Sequence, residues 1–161
     1  MFSKIHIIGK AVLIVAALFF LGSCGSNVQD SFATLSESLK GDWVSEGNVK
    51  VYFKWRLKND TVLEGTWYNL QDKKDTLLLK RFLMFVKKDT LFLKVLGDKV
   101  AEKQIFKADR TGKRKVVFAN QAPGYPHFII FLTDDKKWQY FQSNQRKHRT
   151  VAFDMKPIND R

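Results

Sequence analysis

A strict alternation of apolar and polar side chains between residues 49 and 58 is the feature that most restricts the fold. One face of this segment is apolar and the other is mostly cationic. The apolar positions are Val49, Val51, Phe53, Trp55 and Leu57, and the intervening ones are Lys50, Tyr52, Lys54, Arg56 and Lys58. Successive side chains of a strand point to opposite faces, so this period of two predicts a half-buried β-strand.

The same period continues along the chain, with turn residues at short intervals. Residues 73–80 and 87–94 are near-repeats in which Lys-Lys-Asp-Thr precedes apolar residues, and residues 59–63 form a weaker third copy. Asp favours a turn and Thr favours a strand, so we interpret the repeats as recurring turn chemistry and not as a solenoid. Further strands are predicted near 42–46, 104–109, 114–119, 127–133, 137–143 and 149–156.

About ten consecutive strands with short connections predict an all-β fold, an antiparallel up-and-down β-barrel. Closure removes the exposed edges that an open sheet of this size would leave. Ahead of the barrel, Ser31 precedes Phe32, Leu35 and Leu39, whose spacing predicts one short N-terminal helix. Alternate hairpin turns fall at opposite ends of such a barrel, so we expect a floor of tight turns and a mouth of longer loops.

The N-terminal segment has the parts of an export signal. Lys4 and Lys10 precede the apolar run 11–21, which is shorter than the roughly 20 residues of a spanning helix. Residues 21–24, Leu-Gly-Ser-Cys, resemble the lipobox of bacterial lipoproteins, which implies cleavage before Cys24 and its lipidation. The alternatives are an ordinary secretory signal or an uncleaved anchor. We predict a signal peptide over 1–23, a lipidated tether over 24–31 and a barrel domain over 32–161.

The net positive charge and the single cysteine are compatible with a protein of the cell envelope. Cleavage would lower the net charge from +12 to +10, because the signal carries two lysines and no acidic residue. For an exported lipoprotein we expect anionic phospholipid headgroups, and not nucleic acid, as the partner of this charge. Cys24 is the only cysteine, so an intramolecular disulfide cannot form. We expect a monomer that is lipid-anchored at the periplasmic face of the outer membrane.

Several short motifs of the predicted barrel match a known family pattern. Residues 41–43, Gly-Asp-Trp, resemble the Gly-x-Trp signature at the first strand of lipocalin-like barrels. Residues 116–120, 125–126 and 129–131 resemble the Val-Phe-Glu-Asn, Phe-Pro and Ile-Ile-Tyr stretches of a lipocalin-like domain family found in bacterial lipoproteins, with departures at Ala119, Tyr125 and His127. The resemblance covers about residues 38–155 and implies the barrel fold without implying an activity.

The same resemblance implies a structural role for three residues at the floor. Gly41 and Trp43 belong to the Gly-x-Trp signature. Lipocalin-like barrels often lay a cationic side chain over this tryptophan, and the last strand offers Lys156 or Arg161 for that position.

No arrangement typical of catalysis or metal binding appears. His127 and His148 are the only histidines after the signal, and a metal site would need a third ligand. The serines lack the Gly-x-Ser-x-Gly pattern of a nucleophile elbow. We therefore predict a protein that is not an enzyme, with no catalytic residue, no cofactor and no metal.

The remaining function is binding, and two interpretations stay open. In the first, the barrel holds a small apolar or amphipathic ligand; the predicted contacts are Phe53, Trp55, Trp67, Arg81, Tyr125 and His127. Arg81 is the polar anchor if it points inward, but it could instead face solvent or pair with Glu64. In the second, the barrel is filled and its basic outer face docks a partner in the cell envelope. An enzyme of lipocalin-like fold ranks third.

Overall fold

The computed structural model describes residues 27–71, 75–97, 103–120, 122, 126–134, 136–144 and 148–158. Within these residues one helix precedes ten strands. They are α1 (Val28–Leu39), β1 (Gly41–Ser45), β2 (Tyr52–Asn59), β3 (Val62–Gln71), β4 (Asp75–Lys87), β5 (Thr90–Leu96), β6 (Lys103–Gly112), β7 (Lys115–Asn120), β8 (Phe128–Thr133), β9 (Trp138–Ser143) and β10 (Arg149–Pro157).

The strands form one closed antiparallel barrel. Each strand pairs with the next along the chain, and β1 also pairs with β10, with Trp43 opposite Pro157 and Ser45 opposite Met155. The pairing of the first and last strands satisfies the backbone groups of both edges. The predicted all-β, up-and-down barrel of about ten strands, preceded by a short helix, is confirmed.

Helix α1 closes one end of the barrel, which we call the floor. The Asn27 side chain caps the helix by accepting a hydrogen bond from the Gln29 N–H at 3.1 Å. Gln29 Nε2 donates to the Asp60 carbonyl, in the β2–β3 turn, at 2.9 Å. The apolar face of the helix joins the barrel core through Phe32, Leu35 and Leu39. The opposite end, away from α1, is the mouth.

Aromatic rings fill the middle of the barrel around Phe53, which is fully buried. Its ring centroid lies 5.4 Å from that of Trp67, 6.0 Å from Phe82, 5.1 Å from Trp138 and 5.6 Å from Tyr140. Aromatic pairs at such distances each contribute about 0.5–1.5 kcal/mol beyond the burial of their surface. The interior between floor and mouth is therefore a packed aromatic core.

Two glycines lie at positions where a side chain would be unfavourable. Gly41 has a φ of +129°, a conformation that favours glycine, and it begins β1 directly after the helix. Gly65 lies opposite Trp55 in the register of β2 and β3. A Cβ on Gly65 would lie 2.4 Å from Cζ3 of Trp55, so the indole occupies the space that a side chain would need.

Candidate ligand-binding site

Three aromatic rings form the inner wall on the mouth side of the core, and we call them the aromatic triangle: Trp67, Tyr140 and Phe153. The centroid of Trp67 lies 5.6 Å from that of Phe153 and 6.0 Å from that of Tyr140. Tyr140 and Phe153 stack at 6.3 Å. Trp67 and Tyr140 are buried, whereas Phe153 is only half-buried although it packs on the core. Phe153 is therefore the one ring of the three with appreciable exposure.

Lys80 projects from β4 onto this surface. It lies opposite Trp67 in the register of β3 and β4, so it belongs to the inward-facing series of that strand. Its Nζ lies 5.2 Å from the centroid of the Trp67 ring, within the range of a cation–π contact. The side chain is half-buried. A cationic group therefore lines the inner wall beside the aromatic triangle.

A β-bulge determines which side chains of β4 face inward. Trp67 pairs with Lys80 but the next residue of β3, Tyr68, pairs with Leu78, which leaves Leu79 as the extra residue. Leu78 therefore shares the outer face with Tyr68, which stacks on Tyr52 at 5.4 Å. The bulge separates the faces of Leu78 and Lys80, which in a regular strand would point the same way.

Polar atoms inside the barrel are only partly satisfied by the protein. Gln142 Nε2 donates to the hydroxyl of Tyr140. Among the described residues, the buried indole N–H groups of Trp55, Trp67 and Trp138 have no hydrogen-bond partner. An unpaired buried donor costs about 1–3 kcal/mol. Trp67 is the one of the three nearest the mouth, because β3 runs from the floor at Val62 to the mouth at Gln71. Its N–H lies in the mouth half of the core, where the indole itself is buried.

The structure assigns different positions to the aromatic and cationic residues that we predicted to contact a ligand. Phe53 and Trp55 are fully buried in the packed core, below the triangle. Trp67 lies at the mouth side of that core. Arg81 lies on the outer face, in register with Thr66 and Leu96, and its side chain is exposed. The inward orientation considered for Arg81 is wrong, because the bulge and register give that orientation to its neighbour Lys80.

Arg81 instead lines a shallow outer cleft of about 470 Å³. Its apolar members come from β4 and β5 and include Leu78, Leu83 and Leu96. The adjacent outer wall carries Tyr68, whose pKa is raised above its ordinary value first by burial and then by the negative charge of Asp42. This part of the wall is amphipathic, but it lies outside the barrel.

Of the two ligand contacts predicted in the mouth loop, the structure describes only His127. Tyr125 lies outside the described residues. His127 precedes β8 and is half-buried. Its backbone N–H donates to the Ser143 carbonyl at 2.9 Å, its carbonyl accepts from the Asn120 N–H at 2.8 Å, and its ring meets Phe128 edge-on at 5.2 Å. These bonds extend the pairing of β8 with both neighbours, so His127 stands at the rim of the mouth.

Trp43 takes a structural position at the floor. It is buried, its Nε1 donates to the Leu39 carbonyl at 2.7 Å, and its ring meets Trp138 edge-on at 5.9 Å. Lys156 lies opposite Val44 in the register of β1 and β10 and is exposed. Because Val44 and Trp43 point to opposite faces, Lys156 lies on the other side of the barrel wall from the indole. The expected contact of Lys156 with Trp43 is therefore wrong, and Arg161 lies outside the described residues.

Sequence reasoning missed Lys80 as the cation of the inner wall. Both faces of residues 77–86 are apolar with one cation each, so alternation alone could not choose between Lys80 and Arg81. The three consecutive leucines at 77–79 leave both faces apolar, so the sequence holds no signal that separates the two cations.

Comparisons of the chain with protein-family models, with curated proteins and with solved structures find no match. The resemblance to the lipocalin-like family therefore stays a prediction from the motifs. Among the described residues, no helix has the length and hydrophobicity to cross a membrane. The same residues bring together no group of three or more His, Cys, Asp or Glu side chains suited to a metal ion.

Proposed function

We propose that this protein is a membrane-anchored, non-catalytic binding module that holds a small apolar or amphipathic molecule in the mouth half of its barrel. The observation that carries the proposal is the aromatic triangle, in which Phe153 is half-buried on the mouth side of the buried core. Ligand pockets combine apolar and aromatic walls with a few polar groups, and this inner wall has that composition. The packed core below limits the ligand to the mouth half.

The position of α1 supports an anchored orientation. Cys24 precedes the helix cap Asn27 by three residues, and three residues span at most about 11 Å. A lipid on Cys24 would therefore hold the floor near the bilayer, and the mouth would open away from it. This arrangement suits a module at the periplasmic face of the outer membrane that takes a ligand from the aqueous side.

Replacement of Cys24 by Ser tests the anchor. A thiol is needed for the thioether linkage of the lipid, so Cys24→Ser should move the protein from the membrane to the soluble fraction. Cys24→Ala should behave in the same way. Sedimentation of either variant with membranes, together with a wild-type mass that contains no lipid, would contradict the anchor.

Native mass spectrometry tests the binding function. Soluble protein carrying Cys24→Ser, purified without detergent or organic solvent, should carry a small molecule at one copy per chain. The added mass should disappear when the protein is denatured, because the aromatic triangle exists only in the folded barrel. A mass equal to that of the polypeptide alone would contradict the proposal.

The second candidate is an interaction domain of the cell envelope. Two observations favour it: the packed aromatic core around Phe53 and the amphipathic outer cleft beside Arg81. In this alternative the barrel interior serves stability alone, and the outer wall docks a partner. Bare protein in the native mass spectrum is the result that this second candidate expects.

A further inference from the structure

We propose that the outer face of β4, β5 and β6, which we call the basic wall, rests on a membrane surface that contains anionic phospholipids. Its outward positions are Arg81, Leu83 and Phe85 of β4, Phe92, Lys94 and Leu96 of β5, and Lys103, Ile105 and Lys107 of β6. Alternate residues of the same strands, such as Met84, Leu93 and Phe106, are buried in the core, which fixes the direction of this face. The inference goes beyond the proposed binding function, because the ligand of the mouth takes no part in it.

The basic wall alternates apolar and cationic side chains and carries no acidic residue. In one row of the register, Lys94 lies between Leu83 and Ile105. In the next row, Leu96 lies between two cations, which are Arg81 and Lys103. Four of the nine outward positions are therefore cationic, and each cation adjoins apolar surface.

The four cations of the basic wall are free to meet a partner. In the part of the chain that the structure describes, none of them takes part in an ion pair. Three of them are exposed, and Lys94 is half-buried. The acidic residue beside the wall is Glu64 of β3, and its carboxylate already accepts a hydrogen bond from Lys58 at 3.0 Å. The wall therefore presents a positive charge that its neighbours do not balance.

The apolar residues of the wall offer a surface that a bilayer can cover. Phe85 and Phe92 stack with their ring centroids 5.5 Å apart and are half-buried although they face outward. Ile105 is 40% exposed. Proteins that lie on membranes bury such side chains at the boundary between headgroups and acyl chains, while basic side chains extend to the phosphates.

The type and position of the cations favour a lipid surface over a protein partner. Three of the four are lysines, and lysine is depleted at protein–protein interfaces, whose centres are poor in charge. Lys94 instead lies at the centre of the wall, with apolar neighbours on both adjacent strands. A bilayer surface offers anionic headgroups directly beside acyl chains, so both kinds of side chain find a partner there.

The start of α1 brings the predicted lipid anchor close to the same wall. Gln29 Nε2 donates to the Asp60 carbonyl at 2.9 Å, and the Val86 N–H donates to the next carbonyl, that of Thr61, at 3.0 Å. The helix therefore begins beside the floor end of β4. Cys24 precedes Gln29 by five residues, which span at most about 18 Å. A lipid on Cys24 would let the barrel lean on the basic wall, and the mouth would stay uncovered.

The test is co-sedimentation of the soluble Cys24→Ser protein with vesicles of phosphatidylcholine that contain or lack phosphatidylglycerol. We expect binding to the anionic vesicles, weaker binding as salt is added, and little binding to the neutral vesicles. Combined Lys94→Gln and Lys107→Gln should weaken binding to the anionic vesicles by about tenfold or more. The matched control, combined Lys54→Gln and Lys156→Gln, removes the same charge from exposed positions on β2 and β10 and should change binding much less.

A second pair of variants tests the apolar part of the contact. Ile105→Gln should weaken binding to the anionic vesicles, because it removes an exposed apolar side chain from the wall. Val49→Gln makes the same kind of change at an exposed position outside the strands and should bind as the parent protein does. Melting temperatures check that each variant is folded.

Four results would overturn the inference. Binding to neither kind of vesicle, or to both equally, would exclude an anionic lipid surface as the partner. Equal losses in the two double variants would show only long-range attraction by a basic protein. Equal binding by Ile105→Gln and Val49→Gln would exclude contact through the wall. Tighter binding to soluble polyglutamate than to the vesicles would assign the wall to an acidic protein. None of these results bears on the mouth, so the proposed binding function is tested separately.

Discussion

At position 65 the packing of the core leaves space for glycine and not for a residue with a side chain. The Trp55 ring occupies the position of the missing side chain, with three ring atoms within 2.7 Å of the site of a Cβ. Trp55 is itself fully buried and contacts Phe82 and Phe131, at centroid distances of 5.7 and 5.9 Å. The ring is held on several sides, so it cannot move aside without disturbing the core.

We therefore expect Gly65→Ala to lower the free energy of unfolding by about 1–3 kcal/mol, the usual cost of overpacking a core. Urea denaturation measures the loss. Gly47→Ala is the control, because no heavy atom lies within 4 Å of a Cβ at that exposed position. Equal stabilities of the two variants would contradict the packing of Trp55 on Gly65.

At the scale of elements, the number of strands and the helix were predictable because their signals are local. Alternation in residues such as 49–58 reports the buried and solvated faces of one strand, and the spacing of Phe32, Leu35 and Leu39 reports the buried face of α1. Both signals are read within a single element. The order of the strands then followed from short connections, because neighbours in a meander pair with each other.

Register between strands could not be predicted, and the two corrections at predicted sites both come from register. A shift of one residue moves every side chain of a strand to the other face. Lys156 lies outside because β10 sets it opposite Val44, and Arg81 lies outside because β4 sets it opposite Thr66. The composition of a strand does not show which residue of the neighbouring strand each of its residues pairs with.

At the scale of the whole molecule, the floor half and the mouth half of the barrel differ in how tightly they are packed. The floor is sealed by α1 and the middle by the rings around Phe53. Toward the mouth the inner wall becomes half-buried at Val151 and at Phe153, which is the member of the aromatic triangle that β10 supplies. An export anchor at the floor and a ligand at the mouth would use opposite ends of one barrel, so neither would obstruct the other.

The most direct measurement of the central claim compares dodecanoate binding by two variants of β10. Val151 faces inward opposite Gln142, whereas Ala152 is exposed on the outer face, so tryptophan at these positions adds the same bulk on opposite sides of the wall. If the ligand lies in the mouth, Val151→Trp should weaken binding by about tenfold or more, and Ala152→Trp should bind as the parent protein does. Calorimetric titration of the two folded variants provides the comparison. Equal affinities of the two variants would contradict a ligand site inside the barrel.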